Sequence, residues 1–346
     1  MHGYGYLFRV SRRLARAVPR VGLGNYPTPV STVDTEHGQL FVKHDERAHD
    51  RYAGNKLRKL EYLLADASAR DCRYVATFGA AGSNHALATA VHARGLGFRP
   101  VAFLSRQTAT ERVAKTLACH VQLRTKLVYA GQGTQRDAAV RETLRALDGR
   151  AAVIPMGGSS WLGALGFVAA GAELSEQIAT NQLPTPSRIV MPLGTMGSVI
   201  GLAMGLHLCA LPTRVHAVRV VSDDIANKSR LLAAGNRWAA EMQQLDPTID
   251  LSGWQERVTI DDEQFGAGYA RATEASEDAR QQAANLAGLE LENTYSAKAF
   301  AAVLATSSTA EGPTLFWNTF DPRFPAPPVY GQRTTAVPSE LTYLVS

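Results

Sequence analysis

Tyr74-Val75-Ala76-Thr77-Phe78-Gly79-Ala80-Ala81-Gly82-Ser83-Asn84-His85 is the stretch from which the architecture can be read. A β-rich run is stopped by glycines, and Ser83 then opens a helical pattern that reaches Arg94. A strand that passes through a glycine turn into a helix is half of a βαβ unit. The pattern recurs downstream. Strands are predicted at Pro100–Leu104, within Val121–Tyr129, and at Ala151–Ile154, Arg188–Met191, Val215–Val221 and Thr314–Trp317. Helices are predicted at 109–119, 135–147, 163–179 and 198–210, and near 225–244, 270–286 and 297–305. Strand and helix alternating at this spacing predicts an α/β fold with open, mostly parallel sheets flanked by helices. Upstream, residues 21–31 hold two glycines and two prolines and read as an extended entry segment. Leu40-Phe41-Val42-Lys43 is a short strand, and a helix follows over 55–69. Asn181–Ser187, with Pro184 and Pro186, is the clearest linker, and the proline-rich tail after Asp321 is expected to be extended on the surface.

A chain of 346 residues, 45% of them hydrophobic, has room for a large core and for about two domains. Five of its 36 basic residues (Arg9, Arg12, Arg13, Arg16 and Arg20) lie in the first 20 positions, which carry no acid. The remainder is balanced at 31 charges of each sign, so no basic face for nucleic acid is expected. Leu7, Val10, Leu14 and Val18 would line one face of a short helix, so the arginine-rich start is expected to dock on the body and not to be a cleaved leader. No run reaches the ~18 apolar residues of a membrane span. Cys72, Cys119 and Cys209 are widely spaced and match no metal pattern, nor do the nine histidines. They read as the reduced cysteines of a cytoplasmic protein.

The chemistry is centred on Ala53-Gly54-Asn55-Lys56-Leu57-Arg58-Lys59-Leu60-Glu61. Leu60, Leu63 and Leu64 recur at helical spacing, so Lys56 falls on the first turn, where cations oppose the helix dipole. One reading is a solvated basic turn. The other is an amine whose pKa is lowered by neighbouring cations and by desolvation, as a Schiff-base lysine requires. Gly79 to His85 holds free N–H groups at a helix start, suited to a carboxylate. Gly194-Thr195-Met196-Gly197-Ser198 follows a strand and opens a helix, so it can present backbone N–H groups to a phosphate. That use survives Met196 only if the position does not need a positive φ.

Together these segments resemble the pyridoxal-phosphate enzymes that include D-cysteine desulfhydrase and 1-aminocyclopropane-1-carboxylate (ACC) deaminase, over about residues 18–320. The resemblance implies a two-domain tryptophan-synthase-β-like fold. Its small domain would span 50–170, its large domain 1–49 plus 171–346, with pyridoxal 5'-phosphate between them. Lys56 would carry the cofactor and act catalytically. Asn84 would contact the cofactor's phenolic oxygen, and Ser83, Asn84 and His85 the substrate, with Ser83 and His85 binding its carboxylate or assisting proton transfer. Gly194, Thr195, Met196, Gly197 and Ser198 would cradle the phosphate. Gly157-Gly158-Ser159-Ser160 resembles a loop that shapes the substrate pocket, with Ser159 as its contact. Gly266-Ala267-Gly268-Tyr269 and Tyr295-Ser296-Ala297-Lys298 resemble segments supplying Tyr269 and Tyr295, the latter as proton donor or acceptor at the substrate. Thr319 would meet the pyridine nitrogen.

Where the deaminases carry glutamate after the tyrosine, this chain has Ser296. The resemblance therefore implies β-elimination from a small amino acid, with release of a keto acid and ammonia, in preference to cyclopropane ring opening. ACC deamination, β-replacement and cofactor binding without turnover are the alternatives. The resemblance further implies a cytoplasmic homodimer with no metal, no nucleic acid and no membrane partner.

Overall fold

A computed structural model of the protein describes residues 5–131, 133–307, 311–325 and 336–345. The chain opens with two short helices, α1 (Leu7–Val10) and α2 (Arg12–Ala17), then the hairpin of β1 (Val30–Thr35) and β2 (Gly38–His44). Helix α3 (Lys56–Ala69) leads into β3 (Tyr74–Ala80), α4 (Asn84–Gly95), β4 (Arg99–Ser105), α5 (Glu111–Gln122), β5 (Lys126–Tyr129), α6 (Gly133–Arg145) and β6 (Ala151–Ile154). The chain continues through α7 (Trp161–Ala179), β7 (Arg188–Leu193), α8 (Gly197–Leu208), β8 (Arg214–Arg219), α9 (Lys228–Leu245) and β9 (Val258–Asp261). Two more helices, α10 (Glu274–Ala287) and α11 (Ser296–Ala305), precede β10 (Thr314–Asn318).

Two sheets result. One has four parallel strands in the order β5-β4-β3-β6. The other has six, β1-β2-β10-β7-β8-β9, parallel throughout except for the β1–β2 hairpin. The α/β expectation holds. Ile189, Val190, Met191 and Leu193 on β7 are all fully buried, as strands covered on both faces require. Two edge strands lie outside the sequence expectation. β1 begins in the last residues of the entry segment, and β9 has no expected counterpart. Both are half-exposed and owe their extended form to ladder bonds with β2 and β8.

The N-terminal segment does dock. It breaks at Ser11, whose backbone is extended and whose Oγ accepts the Leu14 N–H (2.9 Å) and contacts Asp246. Leu7, Leu14 and Val18 are buried in the core shared with α7 and α9, while Val10 is only partly so. Asn181–Ser187 is the short connection from α7 to β7, with Leu183 buried. Of the tail expected to be extended, residues 326–335 lie outside the described residues. Ser339–Leu344 is instead a 3-10 turn that buries Leu341 and Leu344 against Leu104 and Leu117. Two leucines three apart fall on one side of such a turn and make docking favourable. Among the described residues, no helix is long and apolar enough to cross a membrane.

A buried ionic cluster joins the two sheets' supporting helices. Arg58 of α3 donates to Asp45 (2.7 Å) and to Glu173 of α7 (2.7 Å), and Lys43 of β2 donates to Glu173 (2.5 Å). Burial would raise the Glu173 pKa, but Arg58 and Lys43 outweigh it and hold the carboxyl down to about 2. Arg58 is thereby turned away from Lys56, and the run expected as a group of neighbouring cations is split between two environments.

Candidate active site

A cavity of about 880 Å³ is lined by residues from both sheets, at the C-terminal ends of β3, β4 and β7. This is where open parallel sheets bind ligands. Lys56 reaches it from the first turn of α3. The entry to that helix is set by Gly54, at φ +87°, where a Cβ would lie 2.7 Å from the Thr319 carbonyl oxygen. The Asn55 N–H donates to that same carbonyl at 3.1 Å. The residue before Lys56 is thus tied to Thr319, just past β10. No acceptor among the described residues pairs with the Lys56 amine, and burial lowers its pKa to about 8. Desolvation, not the neighbouring cations, is the cause. Lys59, one turn further along the same face, also lines the cavity. It donates to the Gly157 carbonyl (3.1 Å), and burial, then Lys56, pushes its pKa well down.

The loop from Gly194 to Ser198 joins β7 to α8 and lines the same cavity. Met196 stands at φ +66°, so the position does adopt the left-handed conformation that the sequence reading made the condition of doubt. A non-glycine residue there costs about 1 kcal/mol, partly offset by packing of the methionine against the core. Within the loop the Gly197 N–H is taken by the Thr195 carbonyl (2.8 Å). Beyond the loop, the amides of Ser198 and Val199 have no protein acceptor among the described residues, and the Asn55 amide donates to Ser198 Oγ (3.3 Å). A Cβ on Gly197 would lie 2.9 Å from Lys59 Nζ. Free amides at a helix N-terminus beside a buried lysine amine, which a phosphate would hold protonated, suit a phosphate. These residues, with the unpartnered amine of Lys56, fit pyridoxal phosphate.

Ser159 differs from expectation: it is absent from the cavity wall. Its hydroxyl bonds that of Thr195 (2.7 Å) and accepts the Gly197 N–H (3.3 Å), so it braces the loop from Gly194 to Ser198. The closeness is possible because Gly157, at φ +65°, has no Cβ; one would sit 2.1 Å from Thr195 Oγ1.

Ser83, Asn84 and His85 do line the cavity. Ser83 Oγ caps α4 by accepting the Ala86 N–H (3.2 Å). His85 is buried and bonds Thr77 through Nε2 (2.9 Å); burial, then Lys56 and Lys59, keeps its pKa well below the usual value, so it is neutral. Arg112 of α5 donates to Asn84 Oδ1 (3.4 Å) and to the Asp321 and Pro322 carbonyls (3.3 Å each), with its guanidinium 4.3 Å from the Phe320 ring centroid. The Asn84 oxygen is engaged behind, which leaves the Nδ2 donors for the cavity.

The Tyr269 and Tyr295 hydroxyls, which also line the cavity, meet at 2.7 Å, with the Tyr295 ring 3.3 Å from where a Cβ on Gly194 would stand. Burial, then the Tyr269 neighbour, holds the Tyr295 pKa well above 10, so at neutral pH it is a proton donor. Thr319 lines the cavity, whereas Ser296 is fully buried and accepts the Glu292 N–H (3.0 Å). The lining carboxylates nearest these groups are committed. Glu292 accepts the N–H groups of Thr294, Tyr295 and Ser296 (2.8, 2.8 and 3.0 Å). Asp321 accepts the Ala53 N–H (2.8 Å) and pairs with Arg323 (2.8 Å). Lys59, Arg112 and Glu292 were missed from sequence. The i, i+3 spacing of Lys56 and Lys59 was a usable signal; nothing local marked the other two. No cluster of metal-ligating side chains occurs among the described residues.

A family profile described as pyridoxal-phosphate dependent enzyme matches residues 21–319. The chain is 34% identical over 316 residues to nocardicin C-9' epimerase of Nocardia uniformis subsp. tsuyamanensis, covering 88% of this chain and 93% of that protein. It is 30% identical over 316 residues to D-cysteine desulfhydrase of Salmonella choleraesuis, covering 87% and 93%. A solved ACC deaminase homologue superposes with a TM-score of 0.76 at 25% identity, covering 93% of this chain and 96% of that one. A solved threonine deaminase shares the fold, with a TM-score of 0.63 at 20% identity over 93% of this chain and 99% of that one.

Proposed function

The chain belongs to the pyridoxal-phosphate-dependent enzymes and, by its desulfhydrase and deaminase relatives, to their eliminating and deaminating lyases; from that premise we propose β-elimination from a small amino acid, D-cysteine being the first to test. The observation that carries the reading is Lys56, an amine lowered to about 8 by burial and unpartnered among the described residues, in a cavity whose lining also holds the hydrogen-bonded pair Tyr269 and Tyr295. When bound, pyridoxal phosphate withdraws the electron pair left at the substrate's α-carbon. Lys59, the α8 N-terminus and the loop from Gly194 hold the phosphate, and Asn84 donates to the phenolic oxygen. Ser83 and the α4 N-terminus hold the substrate carboxylate, and Lys56 accepts the α-proton. The Cβ–S bond breaks, and the Tyr295 hydroxyl, which Tyr269 positions, donates a hydrogen bond to the departing thiolate, a base weak enough to leave without a proton. Water then converts the remaining three-carbon unit to keto acid and ammonia.

Thr319 would offer a hydroxyl to the ring nitrogen of a bound cofactor, while the carboxylates of Glu292 and Asp321 are committed to backbone N–H groups and to Arg323. An unprotonated ring is a weaker electron sink, which favours expulsion of a β-substituent. Keto-acid release should therefore be faster from D-cysteine or β-chloroalanine than from aminocyclopropane carboxylate; equal release from the cyclopropane would reject this assignment.

A second reading rests on the 34% identity to an epimerase. Lys56 and Tyr295 could serve as proton carriers at one α-carbon, and inversion needs no leaving group. Solvent deuterium appearing at Cα with inverted configuration, and no keto acid, would select it. The proposal includes a cytoplasmic homodimer, read from the resemblance and checked by sedimentation. It also includes the division at 50–170, supported by a four-stranded sheet built wholly from residues 74–154. Limited proteolysis that yields a stable 50–170 fragment would agree with it.

A further inference from the structure

The cavity does not stop at the reacting residues. In the four-stranded sheet, Gly157 follows β6 and Ser83 follows β3, and both belong to the cofactor end. The wall continues past β4 to Ala130, beyond the end of β5. Two strand spacings separate β3 from β5, about 10 Å. A cysteine side chain covers only a small part of that distance.

The floor of this arm is apolar. Phe78 and Phe103 stack with centroids 5.1 Å apart and planes at 20°, and Val140 adds to it. Its far wall is one face of α6, since the residues that line the cavity, Gly133, Arg136, Asp137, Val140 and Arg141, fall at i, i+3, i+4, i+7 and i+8. Arg106, after β4, completes the rim. Three arginines thus face one acid. Arg136 and Asp137 lie 3.5 Å apart, whereas Arg106 and Arg141 have no ion-pair partner among the described residues. The reaction proposed above uses none of these groups.

We propose that this arm is a specificity site for a substrate whose β-substituent is an aryl or comparable apolar group ending in a carboxylate. The apolar part lies over Phe78, and the carboxylate is held by Arg106 and Arg141. The inference rests on the lyase reading for its reacting end and narrows the substrate class. Elimination from such a thioether balances as thioether plus water giving aryl-bearing thiol, pyruvate and ammonium.

The test compares S-(4-carboxybenzyl)cysteine with S-benzylcysteine, both enantiomers, against wild-type, Arg106→Ala and Arg141→Ala holoenzyme. Wild type should show a KM at least tenfold lower for the carboxylated compound, an advantage that shrinks with added salt because the arginines are exposed. In either variant the KM ratio should fall towards one while the kcat ratio stays level. Equal KM values in the wild type, or a ratio unmoved by both substitutions, would overturn the arm. Failure of the lyase reading looks different: no pyruvate from these compounds or from D-cysteine. Calorimetric affinities of the two compounds for cofactor-loaded Lys56→Ala protein then decide the arm by themselves, a tenfold preference for the carboxylate supporting it and equality rejecting it.

Discussion

At the residue scale, Lys56 and Lys59 share a helix face and a desolvated cavity yet differ in partners. With a pKa of about 8, about a tenth of Lys56 is neutral at pH 7. The rate at which apoprotein takes up pyridoxal phosphate covalently should therefore rise with pH, with a midpoint near 8, as followed by absorbance. Borohydride should then fix the cofactor to the peptide containing Lys56; a label on Lys59 or Lys298 would refute the assignment. Lys56→Ala should abolish turnover. Lys59→Met removes the ammonium beside the α8 N-terminus while roughly keeping its volume. A charge-assisted hydrogen bond contributes about 1.5–3 kcal/mol, so cofactor affinity should weaken by about 10- to 100-fold in a fluorescence titration, with Lys56 still labelled.

At the element scale, α3 is fixed at its start by the Gly54–Thr319 contact and along its length by Arg58. Glu173→Gln would leave Arg58 and Lys43 buried with too little negative charge. Removing one partner of a buried pair costs about 3–5 kcal/mol, and urea unfolding should show it. The sign with pH follows from a folded pKa of about 2 against an ordinary 4.5. The Glu173 contribution is full above the unfolded value and is lost as pH falls from there towards 2. Glu173→Gln should therefore flatten the acid limb of the stability curve.

At the scale of the whole molecule, the N-terminal segment seals the larger core. Deleting residues 1–18 would expose the surfaces covered by Leu7, Leu14 and Val18, all 7% exposed or less. Each such side chain is worth about 1.5–3 kcal/mol, so the truncated protein should melt lower by several degrees. An unchanged melting temperature would mean that the docking contributes nothing to stability.

The sequence by itself determined the α/β alternation, because apolar strands covered on both faces and glycine turns into helices are local signals. It also pointed to Lys56, Ser83, Asn84, His85 and the Gly194–Ser198 turn, residues that the fold brings to one cavity. Tertiary structure alone decided which cations meet. Arg58 went to Glu173 and Asp45 while Lys59 went to the Gly157 carbonyl in the cavity, a choice made by helix phase and by what each face packs against. It decided that Ser159 braces a loop, that Met196 takes a positive φ, and that Arg112 and Glu292 hold Asn84 and Tyr295. The partners of Arg58, Lys59, Ser159 and Arg112 include residues 28 to 115 positions away, distances that a linear pattern does not carry, whereas Glu292 reaches Tyr295 within one helical turn.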